Sequence, residues 1–162
     1  MKYKIRQRIL SFGDNFTIKN EFEEDKYIVR GKVFAIGDKL RIYDLVGNEL
    51  VYIEQKVLRF IPEYNLYSGG RHLATVKKEF TLLKPRFNIT SSIGNYTING
   101  GFFGYDFEII KDGRAVASVN KKWISFADTY IAEIMEGEDQ PFMLALVIVI
   151  DQVLHDRNHN KK

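Results

Sequence analysis

Residues 139–155 read Asp139-Gln140-Pro141-Phe142-Met143-Leu144-Ala145-Leu146-Val147-Ile148-Val149-Ile150-Asp151-Gln152-Val153-Leu154-His155, and the nine apolar residues from Phe142 to Ile150 decide the fold. Their valine and isoleucine content suits a strand, and periodicity does not separate a short buried strand from a buried helix. The flanks favour a helix. Glu138, Asp139 and Gln140 supply acceptors for an N-terminus, Pro141 fits the first helical position, and His155 and Arg157 stand near a C-terminus. At about 1.5 Å per residue the run rises about 14 Å, well short of the roughly 30 Å core of a bilayer. It is too short to cross a membrane. Continued through Val153 and Leu154, it is a helix apolar on almost every side, and such a helix has to be surrounded by protein.

The wall to surround it is written in the rest of the chain. Leu40–Asp44 leads through Gly47-Asn48 to Leu50–Ile53, Tyr64–Tyr67 through Gly69-Gly70 to Leu73–Phe80, and Phe107–Ile110 through Asp112-Gly113 to Ala115–Val119. Each is an alternating pair of strands with glycine where a tight turn needs positive φ. The segments also repeat. Tyr27-Ile28-Val29-Arg30-Gly31-Lys32-Val33-Phe34 matches Tyr96-Thr97-Ile98-Asn99-Gly100-Gly101-Phe102-Phe103, and Ile53–Val57 matches Val119–Trp123. This reads as a duplicated β-meander. Eight strands leave room only for side chains, whereas an eleven-stranded barrel holds a central helix. The expected fold is therefore ten to twelve antiparallel strands closed around Pro141–His155, one domain over residues 1–156 with a helix at about 141–155 and a polar tail at 157–162.

The order Gly31-Lys32-Val33-Phe34, Gly37-Asp38-Lys39-Leu40, Lys121-Lys122-Trp123, Asp128-Thr129-Tyr130 and the closing Ala145–Asp151 resembles the LURP-one-related family of the tubby C-terminal-like superfamily, to which the phospholipid scramblases also belong. The resemblance covers essentially the whole chain through many small matches. It implies a mainly β fold, a barrel of about twelve strands enclosing a C-terminal hydrophobic helix. The superfamily carries phosphoinositide binding in tubby and lipid movement in scramblases, while short members of the family bring no established activity to transfer. The scramblases' proline-rich leader and cysteine-rich stretch are absent from these residues.

Composition sets the outer bounds. The chain has 162 residues, 45% of them hydrophobic and 28% charged, enough for one domain with a sizeable core. Zero cysteines remove disulfides, thiolate zinc sites and cysteine nucleophiles, and suit a reducing compartment. Charges interrupt the first ten residues at every second position, unlike a signal peptide. A cytoplasmic protein is expected, peripheral at a membrane if it binds lipid. The Asn-x-Thr triplets at Asn15, Asn88 and Asn95 are read as strand composition.

No motif of the sequence carries catalysis. It lacks Gly-x-Ser-x-Gly, a phosphate loop and His-Glu-x-x-His. Gly100-Gly101-Phe102-Phe103-Gly104 lacks a strand-to-helix context and reads as bulges or tight bends of a barrel. His155 and His159 have metal-ligand spacing but stand in the polar tail, and His72 has no partner that sequence identifies. No cofactor, metal or catalytic residue is assigned, and an enzyme built from loops is the third choice.

Charge is the remaining signal. The chain carries 24 basic and 21 acidic residues, a net +3. Lys2, Lys4, Arg6 and Arg8 share one strand face, spaced roughly 6.5–7 Å, with Tyr3 and Ile5 on the other. With Lys77, Lys78, Lys121 and Lys122 they are the candidates for anionic headgroups, each worth about 1 kcal/mol near an anionic membrane. The plain alternative is a solvated face guarding an edge. Nucleic acid is not expected, because the aromatics alternate inward instead of forming a stacking platform. Gln55, Lys78 and Lys121 fall on the inward face, which implies either a bulge or a place at the barrel mouth beside a carboxylate such as Asp151. Asp151, ending the apolar run, is expected to be a structural latch there. The sequence points to a non-enzymatic barrel that binds or scaffolds, specifically through anionic lipid, or alternatively as a protein-interaction module with no lipid role.

Overall fold

The computed structural model describes residues 1–6, 15–32, 39–56, 61–79, 86–101, 106–120 and 129–155. Twelve strands run β1 (Lys2–Arg6), β2 (Phe16–Asn20), β3 (Asp25–Lys32), β4 (Lys39–Tyr43), β5 (Glu49–Gln55), β6 (Glu63–Ser68), β7 (Arg71–Glu79), β8 (Arg86–Ser91), β9 (Tyr96–Gly101), β10 (Asp106–Lys111), β11 (Arg114–Asn120) and β12 (Thr129–Ile134), followed by α1 (Gln140–His155). Every strand pairs antiparallel with its neighbours in sequence, and β1 closes on β12 from Lys2 opposite Glu133 to Arg6 opposite Thr129. The matched segments fall on equivalent strands of two six-stranded halves: Tyr27–Phe34 begins on β3 and Tyr96–Phe103 on β9, while Ile53 lies on β5 and Val119 on β11.

One end of the barrel is built from short turns at 20–25, 44–48, 69–70, 92–95 and 112–113, together with the link 135–139 into the helix. Gly69 and Gly70 (φ 55° and 76°) and Asp112-Gly113 (φ 49° and 81°) take two successive positive φ values, the twist that matches paired strands. Register shifts occur at Ile18/Lys19, Ile42/Tyr43, Leu66/Tyr67 and Ile109/Ile110, in four of the five hairpins at this end. Such bulges raise local twist and help a sheet close. The connections at the other end, and the residues after His155, lie outside the described residues.

Of the glycine cluster, Gly100 is the position whose environment is defined. Among the described residues, β9 pairs with β10 without a register shift from Tyr96 to Gly101. Gly100 (φ 155°) is needed because a Cβ there would lie 2.5 Å from the Asp106 carbonyl oxygen and 2.6 Å from the Phe107 Cα. Close approach of two backbones, and not a bulge, explains it. Gly104 and the aromatic pair before it lie outside the described residues.

The helix fills the interior. Asp139 caps it, its Oδ1 accepting the Phe142 N–H at 3.0 Å, and the first helical bond runs from Met143 N–H to the Asp139 carbonyl at 2.9 Å. Pro141 therefore stands one place later than expected, where its missing N–H is still harmless. Every side chain from Phe142 to Ile150 has 0% exposure. Inward residues of the wall close over them, among them Ile5, Ile18, Leu40, Ile42, Ile53, Leu66, Val76, Ile109 and Ile134. The Phe142 ring packs against Tyr96 with centroids 5.6 Å apart. Among the described residues, no helix is long and apolar enough to cross a membrane.

Candidate functional site

With its interior occupied, the protein presents its chemistry on the outer face and the two rims. Alternation puts Tyr3 and Ile5 of β1 inside and Lys2 and Lys4 outside, as the sequence indicates. The outward lysines are not a bare cationic stripe, however. Lys2 lies 4.0 Å from Glu133 of β12, and Lys4 forms an ion pair with Glu23 of the β2–β3 turn. That pair holds the Glu23 carboxyl below its usual range, first through the Lys4 hydrogen bond. Cross-strand pairing continues with Lys19–Asp25 at 3.3 Å, Lys39–Glu54 at 3.7 Å and Arg41–Glu49 at 3.0 Å. Exposed pairs of this kind add little stability, but each carboxylate cancels the local charge an anionic ligand would seek. Arg6 follows in register opposite Thr129, while Arg8, Lys121 and Lys122 lie outside the described residues. Lys77 is exposed on β7, opposite Glu63 on one side and Asn88 on the other, with no ion pair to described residues.

Lys78 and Gln55 occupy the inward rows, half-buried at the end of the barrel toward which the helix C-terminus points. Lys78 stands opposite Phe87, which packs on the core. No register shift turns Gln55 or Lys78 outward within their described pairings, and Lys121 lies outside the described residues. Asp151 and Gln152 are buried at this end, 7% and 6% exposed. Tyr130 is fully buried, and its hydroxyl is pushed well above the ordinary tyrosine range by desolvation, then by the negative charge of Asp151. Among the described residues the Tyr130 hydroxyl and both polar atoms of the Gln152 amide make no hydrogen bond.

A feature missed by sequence reading crosses the outside of β3 to β7. Arg30, Arg41, Tyr52, Tyr67 and His72 are successive cross-strand partners. The Arg41 guanidinium lies 4.6 Å over Tyr52, Tyr52 stacks on Tyr67 at 5.9 Å, and His72 meets the Tyr67 ring edge-on at 5.4 Å. His72 Nε2 is also 2.9 Å from Thr75 Oγ1, which donates to Asn65 Oδ1 at 2.7 Å. Because the rings face one another, they brace the sheet and do not offer open faces for base stacking. Only register could have revealed this row, since its members are scattered through the sequence. Among the described residues, no three His, Asp or Glu side chains group to hold a metal.

A closed antiparallel meander of twelve strands around a C-terminal helical plug defines a class of barrel domain. The chain belongs to the LURP-one-related family, whose family model matches residues 1–151. It is 35% identical over 152 residues to the uncharacterized protein YxjI of Bacillus subtilis (strain 168), covering 94% of this chain and 93% of that one. It is also similar to the X-ray structure of an Arabidopsis thaliana protein at a TM-score of 0.64 and 18% identity, over 94% of this chain and 91% of the other. That second likeness speaks for the fold.

Proposed function

We infer that this barrel is a non-enzymatic binding or scaffold domain that meets a protein partner on its outer surface. The observation carrying this reading is the plug: nine consecutive helix side chains at 0% exposure leave the barrel axis to protein instead of ligand. Binding then falls to the exterior. There the ion pairs of Lys2 and Lys4 reverse the order of the two sequence-based readings, putting protein interaction ahead of anionic lipid. The lipid reading keeps one specific support: among the described residues Lys77, like Lys56, Arg71, Arg86 and Arg114, is exposed and outside every ion pair.

Flotation with anionic and neutral vesicles at low and high salt separates the two. No salt-sensitive flotation is expected. Binding to anionic vesicles alone, screened by salt and lost in Lys2→Glu/Lys4→Glu/Lys77→Glu, would establish lipid recognition instead.

A further inference from the structure

The short-turn rim is chemically lopsided. Met1, Phe22, Leu45, Val46 and Met135 are the exposed large hydrophobic residues among those described, and Phe22 and Val46 are 75% and 84% exposed. Phe22 tops the β2–β3 turn, Leu45 and Val46 top the β4–β5 turn, and Met135 begins the link from β12 to α1. Since β12, β1, β2, β3, β4 and β5 are consecutive in the wall, these residues form one arc. Six strands at about 4.8 Å spacing give an arc of roughly 24 Å, the length of about seven extended residues. The opposite arc, with turns at 69–70, 92–95 and 112–113, exposes no large hydrophobic residue.

Two tips of the arc share a rigid design. Asn20 Oδ1 accepts the N–H groups of Phe22 and Glu24, each at 3.0 Å. Asp44 Oδ1 accepts those of Val46 at 3.1 Å and Asn48 at 2.8 Å. Each side chain thus holds the hydrophobic residue two places on in a fixed outward position. An apolar group displayed without a flexible loop loses little entropy when a partner covers it.

Charge identifies the partner. Segments 19–26, 43–50 and 133–139 contain ten carboxylates. Six are ion-paired: Glu23, Glu24, Asp25, Glu49, Glu133 and Glu138. Glu21 and Glu136 have no partner among the described residues, and Asp44 and Asp139 only accept N–H groups. Four carboxylates outside any ion pair among the described residues therefore border the apolar tips, against one Met1 ammonium that donates to the Ile134 carbonyl, which leaves this arc negative in a chain whose net charge is +3. An anionic membrane would be repelled here, and a cationic apolar segment attracted.

We propose that the arc formed by Phe22, Leu45, Val46 and Met135 is a docking surface for a protein segment that places lysine or arginine beside apolar side chains. This rests on the protein-partner reading above and gives it a site.

The test is fluorescence anisotropy with a labelled short peptide alternating leucine and lysine, compared with leucine–glutamate and serine–lysine peptides. The leucine–lysine peptide binds, and weakens when ionic strength rises from about 0.01 M to 0.15 M, where the screening length falls from about 30 to 8 Å. Phe22→Ser/Val46→Ser lowers affinity about tenfold or more, a loss of about 1.4 kcal/mol or more, while leaving the melting temperature unchanged. Both control peptides bind at least about tenfold more weakly than the leucine–lysine peptide. Undiminished binding by the double variant, or equal binding of serine–lysine peptide, overturns the proposal. So does a sedimentation dimer that the double variant abolishes, which would assign the arc to a second copy. If no peptide binds while vesicle flotation is also negative, this surface is wrong and the broader protein-partner reading stands.

Discussion

Replacing Phe142 with alanine probes the plug where its environment is best defined. The side chain is fully buried, sits in the first turn of α1 and packs on the Tyr96 ring 5.6 Å away. Truncation removes an aromatic ring from the helix inside a closed wall that cannot collapse freely, so the lost transfer energy and the residual cavity add. Phe→Ala changes at such sites cost about 3–5 kcal/mol, and loss of the aromatic pair places this one toward the upper half. The Asp139 cap survives, because it receives the backbone N–H of residue 142. For a chain of this size about 4 kcal/mol corresponds to a fall of roughly 8–16 °C in melting temperature. Urea unfolding is the assay, with an unchanged m value showing that the two states have kept their compactness. Phe22→Ala makes the same chemical change at a rim tip that is 75% exposed and should stay within about 0.5 kcal/mol of the parent. A cost below about 1 kcal/mol at Phe142, or similar costs at both positions, would refute the enclosed helix.

Gly100→Ala should destabilise by about 1–3 kcal/mol, because its Cβ would press 2.5 Å from a backbone oxygen that the β9–β10 ladder holds; an unchanged urea midpoint would remove the close-approach argument. Burial raises the pKa of Tyr3, Tyr96 and Tyr130, so their neutral forms favour the folded state. Their stabilisation is complete below the ordinary tyrosine pKa of about 10 and is lost as pH rises beyond it, toward the raised folded-state values. Ultraviolet titration should accordingly show Tyr3, Tyr96 and Tyr130, and to a lesser degree the less buried Tyr52, ionising above the ordinary tyrosine range, and a single ordinary midpoint for the whole tyrosine absorbance would contradict this. Asp151→Asn should lower the melting temperature by an amount corresponding to about 1–3 kcal/mol if the buried carboxylate latches the barrel end; an equal or higher melting temperature would dismiss the latch.

The parts of the fold legible in sequence were those set by local pattern. Alternation around Leu40–Ile53 and Phe107–Val119 gives hairpins, and Phe142–Ile150 is too uniformly apolar for any place but a core. Wall size followed from the need to enclose that helix. What escaped depends on which strands become neighbours. Lys2 and Lys4 look like a free cationic row until closure brings Glu133 and the β2–β3 turn beside them. The Arg30-to-His72 row is invisible without five strands in register. Phe22 and Val46 carry no signal as single apolar residues in turns and gain meaning only when adjacent turns gather them on one arc. Gly100 showed the need for glycine but not its reason, since a bulge and a close backbone approach ask for the same residue.

An outer-surface role requires that the helix never vacate the barrel under native conditions, and native-state hydrogen exchange measures this directly. The amides of residues 144–152 should exchange only through global unfolding, with the same opening free energy as the central residues of β4 and β5. Exchange of the helix through a separate, lower-energy opening while those strands remain protected would mean that the plug can leave, and that the barrel interior is itself available to a ligand.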